Sequence, residues 1–525
     1  MKKHIFIITV IGYCLTVVGC TLDEDPRDQI PEEEAYTSQE ALIRNAIATL
    51  YNDIGGSEDG QGLQGTCRGI YDLQTFGSDE AMLPKRGIDW YDGGIWQQLY
   101  RHDWTARHPL LKNSWIYLYK AIAHCNHSLK RLEAYKDLLS EEVLSIYVAE
   151  VRALRAIYYW QLLDLFGNVP IITSTYASIY DVKQSTRKEV FDFVEEELRE
   201  ACARIIMGNS AHLGVYYGRV TLSVAYFVLA KLLLNAEAYT GTPQWEECIA
   251  FCDRIEMLQT YGLENDYSAN FAVNNETSCE NIWVIPMSPR LYHNQQQNLF
   301  RSYHYRHAAA YGFGGENGSC ATRRVLEVFG YGTDHQDKRF DMNYWAGPVV
   351  GLDMVPVTDR KGSPLVYEPW QVALDLSGSP YVETAGARMK KYAIDRNAMQ
   401  GGKLMENDIV LFRYADVLLM RAEAKYRLSQ TGNTRFGDGQ RDYDAVRSRV
   451  EMPMRTITLQ NLLDERLMEL CWEGWRRQDL IRFGQYESLY EGPGKVDESD
   501  GHTTLFPIPA DIMALNHNLK QNPGY

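Results

Sequence analysis

Glu465-Arg466-Leu467-Met468-Glu469-Leu470 runs on through Glu473-Gly474-Trp475-Arg476-Arg477 to Asp479-Leu480-Ile481-Arg482-Phe483-Gly484. The segment predicts a helix over about 458–482. Glu465, Glu469 and Glu473 recur every four residues, so they stack in a column on one helix face. Three like charges in a column repel one another unless cations interleave. Glu473 reaches Arg477 at the favourable i to i+4 spacing, and Arg421 or Arg155 from other helices can meet the rest. The expectation is a fixed ion-pair network inside a helical scaffold, ahead of a set of catalytic carboxylates.

The same helical spacing appears elsewhere in the chain. Leu144, Val148, Val151, Leu154, Tyr158, Leu162 and Leu165 fall three or four apart, with Gly167 as a stop and Pro170 just beyond. Leu411, Ala415, Leu418, Ala422 and Tyr426 repeat the pattern, opened by Asp408 as an N-cap. Further helices are expected near 39–52, 112–135, 187–206, 219–239, 244–257 and 437–449. They fall in neighbouring pairs with short joints, which suggests stacked helical hairpins of the tetratricopeptide type. No strict repeat of about 34 residues is visible, so the repeat is degenerate. The predicted class is mainly α, an α-α superhelix of such hairpins with a loop-rich, partly β insert over about 261–405. That insert is rich in Gly, Asn, Gln, Tyr and Ser, and carries one strand-like run, Asn281-Ile282-Trp283-Val284-Ile285-Pro286. A second loop-rich stretch spans about 55–110.

The other end of the chain begins Met1-Lys2-Lys3, followed by an apolar run from Ile5 to Val18 and then Gly19-Cys20. This reads as a secretory signal over 1–19, too short to span a membrane, which takes about 20 apolar residues. Small residue then Cys resembles the bacterial lipoprotein lipobox, in which the Cys sulfur receives lipid and becomes the new N-terminus. The alternative is an ordinary signal with a chance Cys. Thr21 to Glu34 holds Asp23, Glu24, Asp25, Asp28 and Glu32-Glu33-Glu34 against Arg27, and reads as an extended acidic tether behind the anchor. The expected organisation is therefore signal 1–19, anchor and tether 20–34, and a single domain 35–525 with its scaffold at about 35–260 and 406–525.

The formal charge is −16, and loss of Lys2 and Lys3 with the signal leaves about −18. Such a field disfavours nucleic acid, whose binding depends on Lys and Arg neutralising phosphates. Ten cysteines include Cys14 in the signal and Cys20; the other eight are scattered, unlike a disulfide scaffold, and read as buried small apolar residues. Cys248 and Cys252 share a helix face. The 35 tyrosines and 11 tryptophans suit ligands that are partly apolar and partly hydroxylated.

The C-terminal run quoted above closely resembles the SusD/RagB family of outer-membrane lipoproteins. So do Phe506-Pro507-Ile508-Pro509, Asn516-His517-Asn518-Leu519 and Gln521-Asn522-Pro523-Gly524-Tyr525. Arg155 to Trp160 with Phe166 to Pro170, and Arg413 to Ala424, resemble it too, in family order along the chain. The resemblance implies four degenerate tetratricopeptide-like hairpins. It also implies a surface lipoprotein that captures glycans or peptides as a lid on a TonB-dependent SusC-like transporter.

Catalytic signatures are missing: there is no His-Glu-x-x-His, Gly-x-Ser-x-Gly or Walker A loop, and no cofactor or metal is expected. His124 and His127 make an incomplete metal site and are expected as packed core histidines. Asp89 and Asp92 lack the spacing of a calcium-binding loop. The better constellation is aromatic. A sugar ring packs its C–H face on an indole while its hydroxyls need charged or amide partners. The resemblance places Asp79, Arg86 and Trp104 where sugar-binding relatives carry ligand residues, and composition adds Trp90, Trp96, Tyr303 and Trp345. Trp96, Trp115 and Trp283 are alternatively anchors of loops to scaffold. The expected function is glycan capture for a SusC-like transporter at the outer membrane, through a Cys20 lipid anchor. The alternatives are capture of peptides or another nutrient, and a surface glycoside hydrolase.

Overall fold

The computed structural model describes residues 35–178, 180–207, 214–288, 297–398, 404–486 and 501–525. The signal, Cys20 and the acidic stretch 21–34 lie outside the described residues. Helix α1 (Pro109–Ala134) opens on proline, whose missing N–H is no loss in the first turn. Helix α2 (Glu141–Phe166) is capped by the Ser140 hydroxyl, which accepts from the Val143 N–H, and stops at Gly167 with φ 71°. A side chain at Gly167 would also strike Leu505, 2.8 Å away. From Val151 to Phe166 nearly every residue of α2 is buried, because α1 covers one side and α3 (Arg187–Cys202) the other. Each Leu, Ile or Phe so enclosed contributes about 1.5–3 kcal/mol relative to exposure. A Thr186–Glu189 capping box opens α3.

The stack continues through α4 (Leu222–Leu234), α5 (Trp245–Met257), α6 (Tyr414–Gln430) and α7 (Gln440–Arg449), each packed on its predecessor. Helix α8 (Leu459–Leu470) rests on α6 and is followed by α9 (Arg476–Arg482). The insert leaves after α5 and returns before α6, so the superhelix closes across it. The strands are short and pair antiparallel. β1 (Ala81–Met82) pairs with β3 (Cys320–Ala321), and β2 (Asn281–Ile285) with β8 (Ile409–Arg413). Within the insert β4 (Tyr344–Trp345) pairs with β7 (Arg388–Met389), and β5 (Gly347–Pro348) with β6 (Val366–Tyr367). The fold is mainly α, as the pattern predicts.

Three local expectations need correction. The stretch from 408 to 413 is not a helix start: Ile409–Arg413 are all buried and extend as β8 beside β2, and the helix begins at Tyr414. Asp408 instead accepts the Met287 N–H at 2.6 Å and the Tyr217 hydroxyl. The predicted 219–239 helix breaks at Asn235 into α4 and a short second helix, Ala236–Thr240. The 458–482 helix breaks after Leu470, where Trp472 (φ 65°) and Gly474 (φ 76°) turn the chain left-handed.

That break removes Glu473 from the helical column, yet all three glutamates enter one buried network. Arg413 bonds Glu280 Oε1 (2.7 Å), Glu469 Oε1 (2.5 Å) and Glu473 Oε2 (2.9 Å). Arg339 reaches Asp337 (2.8 Å), Glu465 (2.7 Å) and Glu469 (2.8 Å). Arg447 holds Glu465 (2.6 Å), Lys391 holds Glu473 (2.6 Å), and Arg449 bridges Glu280 and Glu469. Five carboxylates thus face five cations, so the burial leaves no uncompensated charge. Burial alone would raise the Glu469 carboxyl, but Arg449, Arg413 and Arg339 together hold it well below the usual range. Arg421 and Arg155 are not partners: Arg421 binds Asp442, Asp253 and Glu256, and Arg155 binds Glu197. Glu473 is bound to Arg413 and Lys391 rather than to Arg477.

The eight cysteines from Cys67 to Cys471 are free thiols, and Cys248 and Cys252 are buried without a disulfide between them. Trp115 and Trp283 are core anchors, 4% and 0% exposed. His124 and His127 are surface residues, not core ones; His124 pairs through Nδ1 with Asp53 at 2.7 Å. No cluster of three metal-ligating side chains occurs among the described residues.

Candidate functional site

The loop after β1 is stitched into the insert. Lys85 bridges Asp375 in parallel, its N–H donating to Leu374 O (2.9 Å) and its carbonyl accepting from the Leu376 N–H (2.9 Å). Arg86 spends its guanidinium on three carbonyls, of Gly318 (3.0 Å), Val382 (2.9 Å) and Ala385 (2.9 Å). Burial, and then the charge of Arg388, push Arg86 down to about 9. Trp90, half-buried at φ 59°, donates its indole N–H to Glu316 O at 2.9 Å. A side chain at Gly318 would come within 2.7 Å of that indole, so only glycine admits it.

The structure therefore brings the 76–115 loops and the insert together, but it encloses most of the side chains predicted to meet a ligand. Asp79 gives both oxygens to Arg476, at 2.6 and 2.9 Å. Trp96 is fully buried and donates to Asp92. Trp104, 3% exposed, donates to the Tyr525 hydroxyl at 2.8 Å and packs on Phe506. Tyr303, 1% exposed, accepts from the Trp345 indole at 2.6 Å. Asp79, Arg86, Trp96, Trp104 and Tyr303 hold the loops to the scaffold and present no free ring face or charge. Trp345 keeps some exposure, with Lys390 Nζ 4.3 Å from its ring centroid.

The surface of this junction is made by other residues. Tyr91 is 52% exposed at the tip of a turn that Gly93 and Gly94 complete at φ 71° and 87°. Lys85 Nζ lies 5.4 Å from its ring centroid and pairs with Asp375 at 3.3 Å. Asp89, two residues before Tyr91, accepts the Tyr305 hydroxyl at 3.0 Å. Arg360 stands 5.8 Å from the Tyr305 ring, and Glu383 bonds His304 Nε2 at 3.2 Å. Burial and then the bond to Asp89 push the Tyr305 phenol up to about 12, so it stays a neutral donor. Two aromatic rings thus stand beside carboxylates and cations on one rim. The Tyr-x-Gly-Gly run was the signal for Tyr91; nothing in the sequence marks Tyr305.

A separate apolar groove of about 360 Å³ lies between α1, the 170–182 segment and the C-terminal turns, lined by Trp115, Tyr119, Ile172, Leu515 and Leu519. Its polar lining among the described residues includes Lys120, Asn126 and Asn516.

Two family models match the chain: the SusD family over residues 279–525, and the model described as starch-binding associating with outer membrane over 22–234. The chain belongs to the SusD/RagB family. It is 25% identical to the starch-binding protein SusD of Bacteroides thetaiotaomicron, an alignment spanning 100% of this chain and 99% of the relative. Among solved structures, surface glycan-binding protein A from Bacteroides fluxus superposes with a TM-score of 0.73 at 21% identity, covering 93% of this chain and 100% of that one. The Bacteroides thetaiotaomicron surface glycan-binding protein A, solved with laminarihexaose, gives a TM-score of 0.70 at 19% identity, with 93% and 100% covered.

Proposed function

We propose that this protein is a non-catalytic glycan-binding lipoprotein of the outer membrane. It captures oligo- or polysaccharide at the Tyr91–Tyr305 rim and passes it to a TonB-dependent SusC-like transporter, anchored by lipid on Cys20. The observation that carries this reading is the rim itself: the exposed Tyr91 ring and the half-buried Tyr305 ring beside Asp89, Asp375, Glu383, Lys85 and Arg360. A pyranose stacks its C–H face on such rings and bonds its hydroxyls to such charges. Relatives named for starch and glycan binding support the ligand class, and the family supports the anchor and the transporter. A shallow rim leaves much of the ligand in water, so affinity is expected between roughly micromolar and millimolar. Affinity electrophoresis of the purified protein through amylopectin, laminarin and other polysaccharides tests this. Retention without new reducing ends is expected. Retention by none of them refutes glycan capture, and new reducing ends would make the protein a hydrolase.

A further inference from the structure

Trp370 is the one exposed tryptophan among the described residues, at 42%. It lies outside the rim. The indoles of Trp90, Trp96, Trp104, Trp283 and Trp345 all donate to protein acceptors. The Trp370 indole N–H, by contrast, has no partner among the described residues. Its ring stands 6.3 Å from that of Tyr331, tilted by 47°. Tyr331 in turn rests on the buried Phe340, 4.6 Å away, which fixes the pair to the scaffold. The Tyr331 hydroxyl and the Glu368 carboxylate also make no hydrogen bond with any described residue. Burial raises the Tyr331 phenol, and Asp341 and Glu368 lie near enough to raise it further, so it stays a neutral donor beside two acceptors. An exposed indole with an idle N–H, an idle phenol and an idle carboxylate at one place has the make-up of a sugar subsite. An isolated exposed leucine would have no such meaning.

The path from this pair to the rim is short. Val372 is tucked inward against Met82, Tyr100 and Cys320, and Leu374 O accepts the Lys85 N–H. Asp375, which pairs with Lys85 beside Tyr91, is five residues from Trp370, at most about 17 Å along the chain.

We propose that Trp370, Tyr331 and Glu368 form a second sugar subsite, which takes a distal unit of the same glycan chain that the rim binds. This rests on the reading of the rim as a glycan site. Two weak subsites on one chain act through effective concentration, so affinity rises with glycan length beyond what either subsite gives alone. Occupancy of the rim by a short sugar is independent of Trp370.

The test uses the purified full-length protein with Trp370→Ala and Trp370→Phe, the polysaccharide that the wild type retains best, and a trisaccharide of the same linkage. Trp370→Ala should weaken polysaccharide binding by about tenfold, leave trisaccharide binding within about twofold, and leave the melting temperature unchanged. Trp370→Phe, which keeps a ring face, should recover most of the loss. Polysaccharide binding by Trp370→Ala equal to wild type would overturn the subsite. Equal weakening of polysaccharide and trisaccharide would also overturn it, placing Trp370 in the primary site. A wild type that binds no glycan would instead refute the reading of the rim.

Discussion

Glu469→Ala removes the carboxylate shared by Arg339, Arg413 and Arg449 at the centre of the buried network. All four side chains are at most 3% exposed, so no water replaces the lost partner. Breaking a buried, hydrogen-bonded pair costs about 3–5 kcal/mol. Unfolding entropy of about 2.1 cal/mol/K per residue gives roughly 1 kcal/mol/K over roughly 490 residues, so the melting temperature should fall by about 3–5 °C. The pH dependence follows from the depressed carboxyl. Its folded value lies below the ordinary 4.5, so its stabilisation is present above about pH 4.5 and is lost as pH falls through the lower folded value. The gap between wild type and variant should hold from pH 8 to about 5 and close in stronger acid. Scanning calorimetry across pH reads this, with glycan binding of the folded variant measured alongside. An unchanged melting temperature together with lost glycan binding would refute the structural role and make Glu469 part of a binding site.

Burial raises Glu80 to about 7 even though the Trp472 N–H, Lys391 and Arg476 oppose it. A raised folded value means stability present below about pH 4.5 and lost as pH rises through 7. Glu80→Gln should therefore melt higher than wild type at pH 8 with no advantage at pH 4; a pH-independent gap would contradict this. Trp104→Ala empties a core site and should cost about 3–5 kcal/mol, seen as a melting shift; an unshifted curve would put the ring at the surface. The proposed lipid anchor, whose acyl chains would each contribute about 0.8 kcal/mol per buried methylene, predicts that Cys20→Ala moves the protein from the membrane to the soluble fraction. Retention in the membrane would refute the lipid anchor.

The helical scaffold was legible because its signals are local. Leu144 to Leu165 carry a 3.6-residue period, and Gly167 stops it by the φ that only glycine adopts freely. The 409–413 strand was not, because Ile-Val-Leu-Phe fits a buried helix turn as well as a strand; its partner β2, more than 120 residues away, decides. Glu465, Glu469 and Glu473 read rightly as an ion-pair set, but the partners Arg413, Arg339 and Arg449 come from elements whose approach no spacing encodes. The site was harder for the same reason. Sequence shows that Trp96 and Trp104 are aromatic, not which way they face. Both turn inward, where each indole N–H finds its acceptor in the fold, Asp92 and Tyr525 here. Tyr305, half-buried at the rim, and the exposed Trp370 carry no local mark.

Binding of the double variant Tyr91→Ala/Tyr305→Ala to the polysaccharide best retained by the wild type, measured with its melting curve, tests the central claim most directly. Loss of the exposed Tyr91 ring and the half-buried Tyr305 ring should weaken binding by about 1–3 kcal/mol, about 5- to 150-fold, with the protein still folded in its melting curve. Wild-type affinity in a folded double variant would contradict the claim that this rim is where the glycan is held.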